Sequence, residues 1–113
     1  MDAKTRIESA DPADIDGIFR LLEKNHLPLD GLRDHLATTL VARREDGHIV
    51  GSAALEIYSE GALLRSVAVE PLTQGQGLGH ALTEAAIRLA QARHVPAIYL
   101  LTDDANGRLP VLL

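Results

Sequence analysis

The segment from Leu63 to Arg93 constrains the fold more than any other part of the chain. An apolar run ending in Val67-Ala68-Val69 predicts a buried strand, which Glu70-Pro71 ends. The run Gln74-Gly75-Gln76-Gly77-Leu78-Gly79 predicts a turn whose glycines permit positive φ values, and an amphipathic helix follows it. The first N–H groups of a helix have no partner inside the helix and attract anions. This strand–turn–helix unit therefore predicts a phosphate-binding site.

The spacing of the glycines separates the known phosphate-binding patterns. No lysine follows a glycine, as a P-loop would require. The dinucleotide pattern G-x-G-x-x-G also fails, because neither Gly75 nor Gly77 has a glycine five residues further on. The pattern that remains is Q-x-x-G-x-G, formed by Gln74, Gly77 and Gly79. A tight turn without a ligand is the alternative interpretation.

This motif and the strand before it resemble the GCN5-related N-acetyltransferase (GNAT) family. The pyrophosphate-binding signature of that family is Arg/Gln-x-x-Gly-x-Gly/Ala. Here it follows Leu64-Arg65-Ser66-Val67-Ala68-Val69-Glu70-Pro71 at the distance that the family shows. Ala62 to Ser66 and Tyr99 to Thr102 further resemble the small N-acetyltransferases of bacterial arsenic-resistance operons. The resemblance covers roughly residues 5–107.

The resemblance implies acetyl-CoA as the cofactor and assigns the residues that hold it. Strands four and five of the family splay apart, and the pantetheine arm pairs with strand four at positions matching Val67 and Val69, with Ala68 between them. The amides after Gln74 are expected to meet the pyrophosphate; they belong to Gly75, Gln76, Gly77, Leu78, Gly79 and His80. No metal is part of the predicted site.

The pattern along the rest of the chain predicts a single α/β domain over residues 1–113. A strand at Thr5–Ala10 is followed by a helix opened by Asp11-Pro12, and a shorter helix starts at Asp30. The later elements are strands at Leu40–Arg44, Ile49–Tyr58 and Ala62–Val69, a helix at Leu78–Arg93 and a strand at Ala97–Leu101. Strands one to four are expected to be antiparallel. The helix that joins strands four and five implies their parallel pairing, which gives a GNAT-like mixed sheet with flanking helices.

The sequence departs from the family at its C-terminus. The family continues after strand five with a helix rich in aromatic residues and two further strands. Thr102 to Gly107 begins such a helix, but Arg108 to Leu113 does not continue it. We therefore expect strands six and seven to be missing and the domain to be C-terminally incomplete. The uncovered edge of strand five then favours a homodimer.

The resemblance implies an N-acetyltransferase that transfers acetyl from acetyl-CoA directly to the amine of a small-molecule acceptor. No covalent enzyme intermediate is required, and the chain contains no cysteine. Resemblance to the arsenic-resistance branch suggests an amino-acid-like acceptor, arsenic-containing compounds included. A non-catalytic CoA-binding or regulatory domain is the alternative, as is a subunit of a larger assembly.

Glu56 is the candidate catalytic residue, as a base or in acceptor recognition, because a charge lies in the middle of an apolar strand. A solvated strand face is the alternative interpretation. Arg65 either binds an acidic group of the acceptor or pairs with Glu56 across the strands. Tyr58 and Tyr99 are candidate proton donors or strand-packing residues. Asp103-Asp104 resembles a metal-binding carboxylate pair, but a helix cap or loop is the favoured interpretation.

Composition excludes several other classes of function. The net charge is −5, and no basic cluster is larger than Arg43-Arg44, so the chain has no electrostatic signature of nucleic-acid binding. No apolar run approaches the roughly 20 residues that span a membrane. The N-terminus has no apolar signal-peptide core, and a cytoplasmic location is expected by default.

Overall fold

The computed structural model describes residues 4–101 and 108–112. Six strands form one sheet in sequence order, and they are β1 (Arg6–Ser9), β2 (Thr39–Arg43), β3 (Ile49–Tyr58), β4 (Gly61–Val69), β5 (Ala97–Leu101) and β6 (Arg108–Leu112). The α-helices are α1 (Ile15–Lys24) and α2 (Leu78–Ala92), and short 3-10 turns lie at Pro12–Asp14, Arg33–Thr38 and Pro71–Thr73. Within this described part of the chain, no helix is long and apolar enough to cross a bilayer.

The strand pairing confirms the predicted mixed sheet. Strands β1 to β4 are antiparallel neighbours, and β4 and β5 are parallel. The parallel ladder runs only from Ala62 opposite Ile98 to Leu64 opposite Leu100, whereas β4 continues to Val69. A gap therefore opens beside residues 65–69, in agreement with the splaying that the family resemblance implied.

The expectation that no strand follows the fifth is wrong. Arg108–Leu112 pairs antiparallel with β5, so that Ala97 lies opposite Leu112. Pro110 obscured this strand, because a proline within a short apolar run argues against a ladder except in an edge strand. Since β6 covers the edge of β5, the argument for a homodimer through that edge loses its basis. Residues 102–107, where a helix was expected, lie outside the described residues.

Each face of the sheet packs against one α-helix. One core joins the sheet to α2 and contains Leu40, Ala42, Val50, Ala53, Leu55, Ala62, Leu64, Leu78, Leu82, Ala86, Ala90, Val95 and Ile98. The other core joins it to α1 and contains Ile18, Leu21, Leu22, Leu32, Val41 and Ala68. Close approach of α2 requires a glycine in β3, since a Cβ on Gly51 would lie 2.7 Å from Leu82 Cδ1.

The start of β3 departs from the predicted alternation. Strict alternation along β3 predicts Ile49 on the same face as Ala53, but Ile49 packs in the α1 core, and Val50 packs in the α2 core. The cause is an irregular register against β2, where Ala42 lies opposite Gly51 but Arg43 lies opposite Ile49. The extra residue turns the side chains before it to the other face of the sheet.

An ion-pair network fixes the start of α1 to the sheet. Asp14 accepts a hydrogen bond from the Asp11 N–H at 3.0 Å, and the Asp11 side chain accepts from the Ala13 N–H at 2.9 Å. Asp14 also accepts from Arg43 Nη2 at 2.8 Å, and Arg43 Nε donates to Glu8 at 2.7 Å. The bond from Arg43, helped by the one from Asp11, outweighs the effect of burial and lowers the pKa of Asp14.

We expect Asp14→Asn to lower the free energy of unfolding at neutral pH by about 1.5–3 kcal/mol, because it removes the charge that Arg43 pairs while keeping a hydrogen-bond acceptor. The contribution of Asp14 is fully present above its unfolded pKa of 3.8 and is lost as the pH falls through its lower folded pKa. Urea unfolding should therefore show a gap between the two proteins at pH 7 that narrows at about pH 3. A gap that is independent of pH would contradict this assignment.

Candidate functional site

Most of the predicted cofactor-binding residues line one pocket at the end of β4. The pocket has a volume of about 280 Å³ and is lined by Asn25, Val67, Ala68, Val69, Thr73, Gln74, Gly75, Gly77, Leu78 and Gly79. Asn25 and Thr73 were not predicted from the sequence. Thr73 is buried, and its hydroxyl donates to the Glu70 carbonyl at 2.9 Å, which fixes the start of the turn.

The glycine turn has the backbone geometry that a phosphate ligand needs. Gly75 has a φ of 88°, and Gly77, the N-cap of α2, has a φ of 82°. The first bond within α2 joins the Ala81 N–H to the Gly77 carbonyl at 3.0 Å. The N–H groups of Leu78, Gly79 and His80 precede this bond, so they lie at the N-terminus of the helix and have no acceptor within it.

The side chains of Gln76 and His80 are not in this pocket. Gln76 lines a neighbouring cavity of about 310 Å³, together with Arg44 and the exposed Leu72. The imidazole of His80 contacts Glu84, one helical turn away, at 2.6 Å. The side chain of His80 is therefore directed along the helix, and the predicted contact of its backbone N–H with the pyrophosphate stays a prediction.

The backbone of β4 presents its free edge to the gap between β4 and β5. The Glu70 N–H donates to the Val50 carbonyl at 2.8 Å, so the backbone groups of Glu70 face β3. Backbone groups along a strand point alternately to its two neighbours. Those of Val67 and Val69 consequently face the gap, at the positions that the resemblance assigned to the pantetheine arm.

A bulge at Ser66 divides β4 at the point where β5 departs. Ser66 has a φ of 57°, and the register with β3 shifts between Ser52, opposite Ala68, and Ala54, opposite Arg65. The Ser52 hydroxyl donates to the Ser66 carbonyl at 2.7 Å and supports the bulge. A non-glycine residue at positive φ costs about 1–2 kcal/mol. Sequence reasoning missed this feature, because nothing in a run of small and branched residues indicates a left-handed serine.

A cluster of charged side chains lies near the bulge, on the α1 side of the sheet. Glu56 is buried, with 6% of its surface exposed. It accepts hydrogen bonds from the Tyr58 hydroxyl at 2.5 Å and from Arg65 Nη1. His35 Nε2 lies 3.8 Å from the same carboxylate. Arg65 Nη2 donates to the Asp30 carbonyl at 2.6 Å, which ties the loop after α1 to the cluster.

This arrangement makes Glu56 a weak base. Burial raises the pKa of Glu56, but the hydrogen bonds from Tyr58 and Arg65, with the charge of Arg65, outweigh burial and lower it. Glu56 is therefore ionised and paired at neutral pH. Of the alternatives for Arg65, pairing with Glu56 across the strands is present in the structure.

Of the two predicted tyrosines, Tyr58 belongs to the Glu56 cluster and Tyr99 lies in β5. Tyr58 is 56% exposed and hydrogen-bonds Glu56, so it is not a packing residue of the core. Tyr99 packs at the edge of β4, where a Cβ on Gly61 would lie 2.8 Å from Tyr99 Cε2. Asp103 and Asp104 lie outside the described residues. No group of three or more potential metal ligands occurs within the described ranges 4–101 and 108–112.

A larger cavity, of about 610 Å³, lies between α1 and the β2–β3 hairpin. Four of its charged side chains are already paired, because Arg43 contacts Asp14 at 2.8 Å and Lys24 contacts Glu70 at 3.1 Å. Volume alone would favour this cavity. The pocket at the glycine turn is the better candidate because it combines helix N–H groups with a free strand edge.

Comparison with known proteins agrees with this geometry. The model of the acetyltransferase (GNAT) family matches residues 6–109. The chain belongs to the GNAT family. This match is to the whole family and gives no support to the predicted arsenic-resistance branch.

The relatives of this GNAT chain include an amino-acid acetyltransferase and a protein crystallised with CoA. An amino-acid acetyltransferase of Mycobacterium tuberculosis is 34% identical over 89 residues, which are 76% of this chain and 49% of that protein. The chain thus spans about half the length of this curated relative. A Mycobacterium tuberculosis protein crystallised with CoA matches with a TM-score of 0.78 at 25% identity, over 89% of this chain and 66% of that one.

A further GNAT structure shows the same fold. A GNAT family acetyltransferase from Brucella melitensis, in complex with acetyl-CoA, matches with a TM-score of 0.80 at 20% identity. The match covers 96% of this chain and 88% of that one. At this identity the likeness establishes the fold only.

The Ser66 bulge can be tested by substitution. We expect Ser66→Val to lower the free energy of unfolding by about 1–2 kcal/mol, because a β-branched residue is strained at positive φ. In a regular strand the same change would be neutral or stabilising. Ser66→Gly is the matched control and should retain the stability of the parent in urea unfolding. A Ser66→Val protein as stable as the Ser66→Gly protein would contradict the bulge.

Proposed function

We propose that this chain binds acetyl-CoA and transfers its acetyl group to the amine of a small-molecule acceptor. The observation that carries the proposal is the continuity between the free edge of β4 and the glycine turn. Val67 and the N–H of Val69 offer backbone groups for the pantetheine amides, and the N–H groups of residues 78–80 offer donors for the pyrophosphate. The Mycobacterium tuberculosis protein crystallised with CoA supports this cofactor.

The acetyl thioester supplies an activated acyl group, and in the overall reaction an amide C–N bond forms while the C–S bond breaks. The amine loses a proton, and the CoA thiol is the second product. The chain contributes mainly by holding the two reactants in one geometry, a form of catalysis that needs no nucleophilic side chain. The absence of cysteine from the sequence is compatible with this direct transfer.

In this proposal Glu56 serves acceptor recognition and is not the base. Its lowered pKa and its two hydrogen bonds leave it little tendency to accept a proton at neutral pH. Its carboxylate instead orients Arg65, which is also held by the Asp30 carbonyl. Because a guanidinium has five N–H donors in a rigid plane, donors remain for a ligand.

We assign to Arg65 the binding of a carboxylate on the acceptor. Arg65 directly precedes the bulge where β4 and β5 separate, and its side chain is 20% exposed. A planar guanidinium matches a carboxylate with two parallel hydrogen bonds. The amino-acid acetyltransferase of Mycobacterium tuberculosis supports an amino-acid acceptor, and an arsenic-containing amino acid would belong to the same chemical class.

A CoA-binding domain without transferase activity is the second candidate. The pairing of Glu56 favours it, because this carboxylate is then unavailable as a base. Release of the CoA thiol on mixing the protein with acetyl-CoA and a panel of amino acids distinguishes the two. Tight binding without acceptor-dependent thiol release would select the second candidate.

Cofactor binding can be tested with an isosteric pair of variants at Gly79. A Cβ there would make an ordinary 3.7 Å contact with Val69 Cγ2, so a side chain fits. Gly79→Asp should weaken CoA binding by more than about tenfold, because a carboxylate would lie beside the pyrophosphate. Gly79→Asn differs only in charge and should bind CoA much more tightly than Gly79→Asp in calorimetric titration.

The stability of the two Gly79 variants provides the control. Both replace a glycine within a helix, and the aspartate also favours the helix N-terminus, so neither variant should melt below the parent. Equal CoA affinities of the Asp and Asn variants would place the pyrophosphate elsewhere. A folded parent without CoA affinity would refute the proposed function.

The role of Arg65 can be tested through the KM of the acceptor. We compare the parent with the double variant Arg65→Gln/Glu56→Gln, which removes both charges without leaving one buried alone. The KM for an amino acid should rise by about ten- to a hundredfold, the equivalent of a lost hydrogen bond to a charged group. CoA affinity and the KM for an amine lacking a carboxylate should change little. An equal rise for both classes of acceptor would contradict the assignment.

A further inference from the structure

We propose that Asn25, at the C-terminal end of α1, is a positioning residue for the cofactor turn. The inference rests on the proposed function, since it concerns the turn that receives the pyrophosphate. Asn25 is the C-cap residue of α1, and it lines the pocket at the end of β4. Through its side chain, the helix on one face of the sheet holds the turn that leads into the helix on the other face.

The contacts form a closed set of amide hydrogen bonds. Asn25 Nδ2 donates to the Leu21 carbonyl at 2.9 Å and to the Val69 carbonyl at 3.2 Å. Asn25 Oδ1 accepts from Gln74 Nε2 at 3.3 Å, and Gln74 Nε2 also donates to the Val69 carbonyl at 3.2 Å. The last turn of α1, the end of β4 and the first residue of the glycine motif are therefore joined by two side chains.

The turn itself has little packing to hold it. A Cβ placed on Gly75 or on Gly77 would meet no atom within 4 Å, and both residues are exposed with positive φ. Glycines allow many backbone conformations, so ordering such a turn is entropically costly. Fixing Gln74 at its start limits the conformations that the following N–H groups can adopt before a ligand arrives, which is how preorganisation raises affinity.

We call the hydrogen bonds that join Asn25, Gln74 and the Val69 carbonyl the clamp. Because it includes Val69, the clamp holds the end of β4 as well as the turn. This carbonyl faces the gap between β4 and β5, and the amide donors of Asn25 and Gln74 occupy its two lone pairs. The end of β4 is thus held in place without β5 as a neighbour. The adjacent pair of Lys24 with Glu70, at 3.1 Å, ties α1 to the strand end as well but does not reach the turn.

Calorimetric titration with CoA tests the clamp in a double-mutant cycle. Asn25→Ala and Gln74→Ala should each weaken CoA binding by about three- to tenfold, the loss expected for one or two neutral hydrogen bonds. The double variant should be no weaker than the weaker single variant, because both substitutions break the same contact. Pantetheine, which lacks the pyrophosphate, should lose less affinity than CoA in the Asn25→Ala variant, because the contact with Gln74 acts on the pyrophosphate turn.

A destabilised control separates positioning from a general weakening of α1. Ile18 is fully buried in the α1 core and far along the helix from the turn, and Ile18→Val should cost about 0.5–1.5 kcal/mol of stability. This variant should bind CoA like the parent. If Asn25→Ala proves unfolded, Gln74→Ala breaks the clamp from its exposed side and carries the test.

The outcomes are distinguishable. Unchanged CoA affinity in a folded Asn25→Ala or Gln74→Ala variant would overturn the clamp and leave the proposed function intact. If the losses of CoA affinity add in the double variant, or if pantetheine loses as much affinity as CoA, the two residues have independent structural roles. Either result would overturn the clamp as well. Absence of CoA binding by the folded parent would refute the proposed function, and the clamp with it.

Discussion

The separation of β5 from β4 after Leu64 is the constraint on which the rest of the site depends. As long as two strands are paired, their backbone groups satisfy one another and no ligand can use them. Here the parallel ladder stops while β4 continues to Val69, so the groups of Val67 and Val69 face a gap. The protein must hold that edge in place without a neighbouring strand, and the Ser66 bulge, the Asn25–Gln74 contacts and the buried Thr73 all lie along it.

The same constraint explains why the ion pairs of Arg43 and of Arg65 have different surroundings. Arg43, Asp14 and Glu8 connect α1 to β1 and β2, where the three strands β1, β2 and β3 are paired and these three charges contact one another. Arg65 and Glu56 lie beside the gap instead, and Arg65 completes its contacts with the Asp30 carbonyl, a loop group. A charge that is held partly by a loop can exchange that contact for a ligand at lower cost than one fixed within the sheet, since loops are the more mobile elements.

The fold could be predicted from the sequence to the extent that local patterns determine it. Alternation located β3, which the structure has at Ile49–Tyr58 as predicted, and helical periodicity placed α2 to within one residue of its end. Pairing order followed from loop lengths and the crossover helix. The predictions that failed concern strand register. The extra residue at Val50 and the strand containing Pro110 can be identified only when the partner strand is known.

Some residues of the candidate site could likewise be predicted from local sequence, and others could not. Gln74, Gly77 and Gly79 could be found because a phosphate turn requires glycines at fixed spacing, and that requirement is written in consecutive residues. Asn25 could not be found, because its partners Gln74 and Val69 are more than forty residues away and an asparagine after a helix ordinarily signals only a cap. Glu56 was located by a local anomaly, a charge within an apolar strand, but that anomaly cannot distinguish a base from a partner. The distinction depends on Tyr58 and Arg65, whose hydrogen bonds lower the pKa of Glu56 despite its burial, and so on contacts that only the folded chain defines.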